Sequence, residues 1–285
     1  MVEKIALVTD SSCDLPEQIL EKYNIHVIPL HIIFKDGDYR DGIDITPREF
    51  YEKLNIEEIP STSMPSPGEI WKLFLKLKEE GYTHILAIHL SSGLSGTFSL
   101  VESLKDKVNE LGMSLTVINS KALSMGLGFL VIHAGELIRK KIPFQQIIEK
   151  IEDLVKETKV FFVLKTLEYL RKGGRIGLVE GTIGDILDIK PIISINKDGI
   201  YYSVAKVRGR ARSLNKLIEV AREAIGERGV YLAVMHGAAL DEAQAVMEKI
   251  KKEVNAVQSF IGEITPSLGA HTGHGLIGIT FCPAP

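Results

Sequence analysis

The chain has 285 residues, about twice the usual single-domain length, with 45% hydrophobic and 25% charged residues, which excludes disordered, collagen-like and disulfide-scaffold readings. Its 34 basic and 37 acidic residues leave a net charge of -3, far from the basic excess of a protein held to a phosphate backbone, so no nucleic-acid partner is expected. Cys13 and Cys282 stand at opposite ends of the chain, which excludes a CxxC metal or redox site; with no signal-type leader and no run near the ~18 apolar residues of a membrane span, a cytoplasmic protein without a transmembrane segment is expected.

Ile5-Ala6-Leu7-Val8 is a continuous apolar run, as a strand covered on both faces requires, and it ends in Thr9-Asp10-Ser11-Ser12. Asp14 and Pro16 then open a helix on which Leu15, Ile19, Leu20 and Tyr23 recur at helical spacing. A second β-rich run extends from Ile25 to Phe34, a turn follows at Lys35-Asp36-Gly37-Asp38, and Thr46-Pro47-Arg48-Glu49 reads as a capped helix start. Pro60 to Pro67 reads as a stiffened loop before a helix that turns Ile70, Trp71, Phe74, Leu75 and Leu77 inward. Ile85 to Leu90 is another buried-type strand, running into Ser91-Ser92-Gly93-Leu94-Ser95-Gly96-Thr97 and a helix phased by Phe98, Val101, Leu104, Val108 and Leu111. Leu115 to Ile118 repeats the theme, followed by helices from about Met125 to Lys141 and from Phe144 to about Thr158.

Beyond about residue 158 the pattern changes. A strand at Val160 to Leu164 and a short helix at Leu167 to Lys172 precede Ile192 to Ile195, which pairs with Tyr201 to Val204 across Asn196-Lys197-Asp198-Gly199 as an antiparallel hairpin. A helix through Leu214 and Ile225, a strand from Tyr231 to Met235, a helix through Val246 and Val254, and a closing strand from Leu276 to Phe281 complete the chain. The expected fold is α/β: a three-layer, Rossmann-like parallel-sheet domain over residues 1–158, and an α/β domain with a mixed sheet and helices on one face over 159–285, with any ligand between them.

The segment Ser91 to Thr97 lies where an open α/β sheet binds ligands, outside the carboxyl end of a strand and at a helix start. Its glycines allow close approach and Ser95 or Thr97 can donate, although serine also caps helices routinely; the segment matches neither G-x-x-x-x-G-K-[ST] nor G-x-G-x-x-G. Ser61-Thr62-Ser63 offers three consecutive hydroxyls between prolines, which suits one anion or an ordinary solvated turn. Gly269-Ala270-His271-Thr272-Gly273-His274-Gly275 reads as a glycine-rich loop with two imidazoles, too few convergent ligands for zinc, so no metal site is expected. Arg171 and Lys172 suit a helix C-terminus, whereas Arg175, after two glycines, is free to meet phosphate or an acidic surface. Arg208, Arg210 and Arg212 read as a solvated strand edge or loop, Asp10 as a base or a turn cap, His89 and His133 as core histidines, and Cys13 as a thiol without a visible relay.

Five segments in chain order, Val8-Thr9-Asp10-Ser11, Ser61-Thr62-Ser63 ahead of Pro65-Ser66-Pro67, Leu90 to Thr97, Leu170 to Arg175, and Gly269-Ala270-His271-Thr272-Gly273, resemble the bacterial DegV family, the fatty-acid-binding subunits called FakB. The resemblance covers essentially the whole chain. It implies a two-domain protein holding one long-chain fatty acid, with no other cofactor, whose carboxylate a separate ATP-dependent kinase phosphorylates so that acyltransferases can pass the acyl group into phospholipid synthesis. By the motif match, Thr62, Ser63, Ser95, Gly96 and His271 look like carboxylate contacts and Arg175 like the residue serving phosphoryl transfer or kinase docking. Phe129, Leu130, Phe161 and Phe162 are offered as acyl-chain lining, and His274 departs from the family pattern, where a proline is common. On this reading the chain is a substrate-presenting subunit and no enzyme; the competing reading is an autonomous serine hydrolase or small-molecule kinase using Ser95 and His271.

Overall fold

The computed structural model describes residues 3–182 and 188–284. The first half carries β1 (Ile5–Asp10), α1 (Glu17–Tyr23), β2 (Ile25–Ile28), β3 (His31–Phe34), β4 (Gly37–Arg40), α2 (Pro47–Lys53), β5 (Ser61–Ser63), α3 (Pro67–Glu79), β6 (His84–His89), α4 (Thr97–Glu102), α5 (Lys105–Glu110), β7 (Ser114–Asn119), α6 (Met125–Arg139) and α7 (Phe144–Glu157). Strands β2-β1-β6-β7 form a parallel sheet. Alternation along these strands sends Ala6, Val8, Ile85 and Ala87 toward Ile70, Phe74 and Leu77 of α3, and Leu7, Leu86 and Ile88 toward α6, so helices cover both faces. This is the expected three-layer parallel arrangement.

The run from Ile25 to Phe34 is two strands in two sheets. After β2 the chain leaves the parallel sheet, and β3 pairs antiparallel with β4 and β5 in a small sheet of order β4-β3-β5. The supposed loop at Pro60 to Pro67 therefore contains a strand, Ser61–Ser63, in which Thr62 stands opposite Ile32. Tertiary pairing supplies what three polar residues do not advertise.

The second half carries β8 (Lys159–Val163), α8 (Glu168–Lys172), β9 (Ile189–Ile195), β10 (Tyr201–Arg208), α9 (Arg210–Ile225), β11 (Val230–His236), α10 (Leu240–Ile250), β12 (Ala256–Glu263), α11 (Pro266–Thr272) and β13 (Ile277–Pro283). Its six strands run β10-β9-β8-β13-β11-β12, mixed in direction, with the expected hairpin pairing of Ile195 with Tyr201. Two expectations are corrected. Strand β12, with Gln258 and Ser259 at a sheet edge, has no clean alternation and is invisible in sequence. The glycine-rich segment before the last strand is in large part a helix, α11, started by Pro266 and stopped by Gly273 at φ +68°.

Helices also cover both faces of the mixed sheet, not one. Leu217 and Ile218 of α9 and Val246 of α10 pack on Phe161, Val163 and Ile279, while α6 covers the other face at Phe162, Ala233 and Met235. Helix α6 thus lies between the two sheets, which is why eleven of its fifteen residues are buried and its apolar pattern runs nearly all round. A Cβ on Gly126 would stand 2.6 Å from Val160, so this glycine lets the helix seat directly on β8.

The segment after β6 reaches the second sheet. Ser91 Oγ donates to the Gly199 carbonyl at 2.8 Å, and a Cβ on Gly93 would lie 2.5 Å from that same oxygen. The carboxyl ends of the parallel strands are therefore held against the β9–β10 turn.

Candidate functional site

A cavity of about 320 Å³ opens at this junction. Thr62, Ser63 and Met64 enter it from β5 and the residue after it, Leu94, Ser95 and Gly96 from the segment after β6, Ser267, Leu268 and His271 from α11, and Arg175 from the segment after α8. Residues far apart in sequence, and belonging to both sheets and the small one, thus make one mouth. Thr62, Ser63, Ser95, Gly96, His271 and Arg175, named from the family resemblance, all border it, whereas Ser61 and Thr97, whose hydroxyls were also offered to an anion, do not.

Thr62 Oγ1 and His271 Nε2 are hydrogen-bonded at 2.7 Å. Burial, and then the Arg175 guanidinium, push His271 down to about 4, so the imidazole is neutral at pH 7. Its Nδ1 is buried without a partner and faces Gly173, where an added Cβ would stand only 2.3 Å away. Gly173, at the end of α8, makes room for the ring. Arg175 is exposed, with Nη1 donating to the Gly173 carbonyl at 2.9 Å and Nε to the Leu94 carbonyl at 3.4 Å. The cation is thereby strapped across the mouth beside the imidazole.

Ser95 precedes the Gly96 N-cap of α4 and does not cap the helix. Its Oγ accepts from Thr97 N at 3.3 Å and shares a hydrogen bond with Thr97 Oγ1 at 2.9 Å, a local turn, and the residue borders the cavity. Gly96 lies against the exposed Met64 side chain, whose Sδ would be 2.6 Å from an added Cβ and would have to swing away. His271 pairs with Thr62 and Ser95 with Thr97, so the hydrogen bond on which a Ser95–His271 hydrolase depends is not made. Behind the segment, the buried Asp10 carboxylate accepts from His89 Nδ1 at 2.9 Å, Leu90 N at 3.0 Å and Ser12 N at 3.1 Å, which fixes where Ser91 to Thr97 begin. His89 is a hydrogen-bonded core histidine, as its strand position suggested.

Sequence reasoning missed two buried carboxylates that clip α11 to the end of β1. Asp14 accepts from Thr265 N at 2.9 Å and from Ser124 Oγ, and Asp41 from Ser11 Oγ at 2.9 Å and Ser267 N at 3.3 Å. Burial raises Asp14 to about 7 and Asp41 to about 6 against the lowering effect of those bonds. Nothing in local sequence marks them, because both partners come from distant segments. Cys13 lies beside them, and burial pushes its thiol far up, away from thiolate chemistry.

Inward from the mouth, Leu123, Tyr201 and Leu268 border both the cavity and a second, smaller chamber of about 20 Å³. Of the four residues offered as acyl lining, Phe162 borders this chamber and Phe161 points to the opposite face of the sheet, into the α9 side, by the period-two alternation of β8. Phe129 packs against Tyr231 and Phe260 at 6.2 and 5.8 Å between ring centres, and Leu130 fills the core around α6; neither borders either chamber. On its outer side the Thr62–His271 pair borders a groove of about 830 Å³ together with Lys172 and Arg175, so it forms a partition between the cavity and the exterior. His274 lies elsewhere, its ring 5.1 Å from that of Tyr51, in a separate charged groove. Arg210, read as solvated, instead pairs with Glu242 and donates to the Gly275 carbonyl at 2.6 Å. Among the described residues no group of three or more His, Cys, Asp or Glu could hold a metal ion, and no helix is long and apolar enough to cross a membrane.

Comparison with known proteins places these features in context. The model of the DegV family, described as that of an uncharacterised protein, matches residues 4–284. A DegV domain-containing protein of Clostridium acetobutylicum is 43% identical over 284 residues, which covers 98% of this chain and 99% of the relative. The crystal structure of DegV from Bacillus subtilis, described as a fatty acid binding protein, superposes with a TM-score of 0.89 at 29% identity, covering 99% of this chain and 100% of that one. A stearic acid-binding protein of Eubacterium ventriosum gives a TM-score of 0.90 at 26% identity, with 99% of this chain and 98% of that one covered.

Proposed function

The chain belongs to the DegV family, and from that membership we propose that it holds one long-chain fatty acid and presents the carboxylate to a partner ATP-dependent fatty acid kinase. The observation that carries this reading is the union of a polar mouth with an apolar interior: Thr62, Ser63, Ser95 and His271 at one end, and Leu123, Tyr201 and Leu268 leading inward. Hydroxyls, a neutral imidazole and one cation at the rim suit an ionised carboxylate, whose burial must be offset by charge-assisted hydrogen bonds. The likeness to proteins described as binding fatty acids supports the same class of ligand. We read residues 1–158 and 159–285 as two domains with the ligand between them.

The proposed chemistry divides between two proteins. One carboxylate oxygen attacks the terminal phosphorus of ATP held by the kinase, the bond from that phosphorus to the bridging oxygen breaks, and ADP leaves, giving an acyl phosphate for acyltransferases of phospholipid synthesis. The groove outside the Thr62–His271 partition gives a route to the carboxylate that the acyl chain does not obstruct, and Arg175 stands on that route to meet phosphate charge. This chain's own residues bind and orient; the nucleotide chemistry belongs to the partner.

Native mass spectrometry of the purified protein offered stearate tests the reading: one bound fatty acid per chain is expected, and no binding overturns it. His271→Ala and Ser95→Ala are each expected to weaken binding, His271→Ala by about ten- to hundredfold, the size of a lost hydrogen bond to a charged group. Arg175→Ala is expected to keep binding within about threefold and to abolish acyl-phosphate formation by the kinase, because an exposed cation contributes little to affinity. Equal loss of binding in all three variants would contradict that division.

A further inference from the structure

We infer that Gly278 sets the length of acyl chain that this protein accepts, by keeping open the inner chamber behind the main cavity; the inference rests on the fatty-acid reading above. The cavity of about 320 Å³ has room for roughly ten methylenes if each takes about the ~30 Å³ of a water molecule. The tail of a longer chain must pass the neck formed by Leu123, Tyr201 and Leu268 and enter the chamber that those three residues share. That chamber measures only about 20 Å³, room for about one water-sized group, so a single side chain added to its wall decides whether it exists at all.

The wall is built by strand alternation. Val160 and Phe162 of β8 and Gly278 and Thr280 of β13 face the chamber, while Phe161, Ile277 and Ile279 face α9. Gly278 stands opposite Phe162 on one neighbouring strand and Met235 on the other, and both of those side chains border the chamber. A glycine inside a central strand weakens the strand unless backbone geometry or a close approach demands it. Neither demand exists at 278. It is not among the residues with positive φ, and an added Cβ would meet its nearest atoms at 3.6, 3.7 and 3.9 Å, ordinary contact distances. Gly126 is the contrast, since there a Cβ would stand 2.6 Å from Val160. The fold needs Gly126; the fold does not need Gly278, and what the missing side chain leaves is space in an otherwise apolar wall.

The test is a binding series with saturated fatty acids from octanoate to icosanoate on the wild-type chain, Gly278→Ala and Gly278→Val. Wild-type affinity is expected to keep rising beyond decanoate by about fourfold per methylene buried. Gly278→Val is expected to hold decanoate within about twofold of wild type and to lose the gain of the one group that the chamber holds, about fourfold for the longer acids up to stearate, with Gly278→Ala between the two. Stearate binding by Gly278→Val equal to wild type, or equal loss of decanoate and stearate at an unchanged melting temperature, overturns the inference. Should the valine variant fail to fold, Gly278→Ala, whose Cβ clears its neighbours, carries the same expectation with a smaller shift, and an unchanged chain-length profile in it overturns the inference as well. A wild-type chain that binds no acid of any length overturns the fatty-acid reading itself, whereas normal wild-type binding with unaltered variants overturns only the part given to Gly278.

Discussion

Gly173→Ala is expected to weaken fatty-acid binding about as much as removal of the His271 imidazole, ten- to hundredfold, although residue 173 bears no group that could touch a ligand. The added Cβ would fall 2.3 Å from His271 Nδ1 and 2.9 Å from the Tyr169 carbonyl oxygen. The carbonyl belongs to α8 and cannot retreat cheaply, so the ring must move, and with it the 2.7 Å bond to Thr62. Gly174→Ala is the control: nothing lies within 4 Å of a Cβ there, and only its φ of +69° resists substitution. That variant is expected to lose about 1 kcal/mol of stability and to keep its affinity. Calorimetric titration with oleate or stearate, alongside melting curves, separates the two, and equal affinities for the two variants would remove Gly173 from the site.

Asp41→Asn is expected to flatten the pH dependence of stability by about 2 to 3 kcal/mol between pH 4 and pH 8. Burial holds Asp14 at about 7 and Asp41 at about 6, above the ordinary 3.8 of the unfolded chain. Between those limits the native state binds more protons than the unfolded state, so this pair's contribution to stability declines as pH rises from about 4 to about 7 and is level above that. His271 and His236, held low by burial, act in the opposite sense, because there the unfolded chain binds the extra protons. The difference between variant and wild type isolates the carboxylate. Ser11 Oγ and Ser267 N both donate to Asp41 Oδ2, so the asparagine oxygen can accept from both while the titration is removed; the amide nitrogen, placed where buried Oδ1 has no partner, costs a roughly constant amount at every pH. Urea unfolding at several pH values measures it, and parallel wild-type and variant curves would show that Asp41 does not titrate in this range.

The strands of both main sheets were legible wherever a strand is buried on both faces, since Ile5 to Val8 or Ile85 to Leu90 must then read as unbroken apolar runs. Polar or edge strands were not. Ser61–Ser63 and Ala256–Glu263 owe their conformation to a partner strand rather than to their own side chains. Glycine density misled at Gly269, where a Cβ would fall 2.6 Å from the Phe50 ring: that glycine serves close packing of α11 on α2 and not a loop. Thr62, Ser63, Ser95, Gly96, His271 and Arg175 of the mouth were nominated from sequence, through loops of hydroxyls and imidazole and through five segments in family order, whereas Ser267 was not. Of the apolar interior only Phe162 was, because a phenylalanine in a pocket and one in a core have the same neighbours in sequence.

What the amino-acid sequence determined alone is therefore the set of parts: an α/β chain, its buried strands, its polar segments and its family. Tertiary structure alone decided which parts meet. It set Thr62 of a small three-stranded sheet against His271 of a short helix, turned Phe162 toward the chamber and Phe161 away from it, and buried Asp14 and Asp41 behind the cavity wall. The physical reason is one of range: periodicity and turn chemistry act over a few residues, whereas burial, pKa and cavity shape are set by atoms that the chain brings from far away.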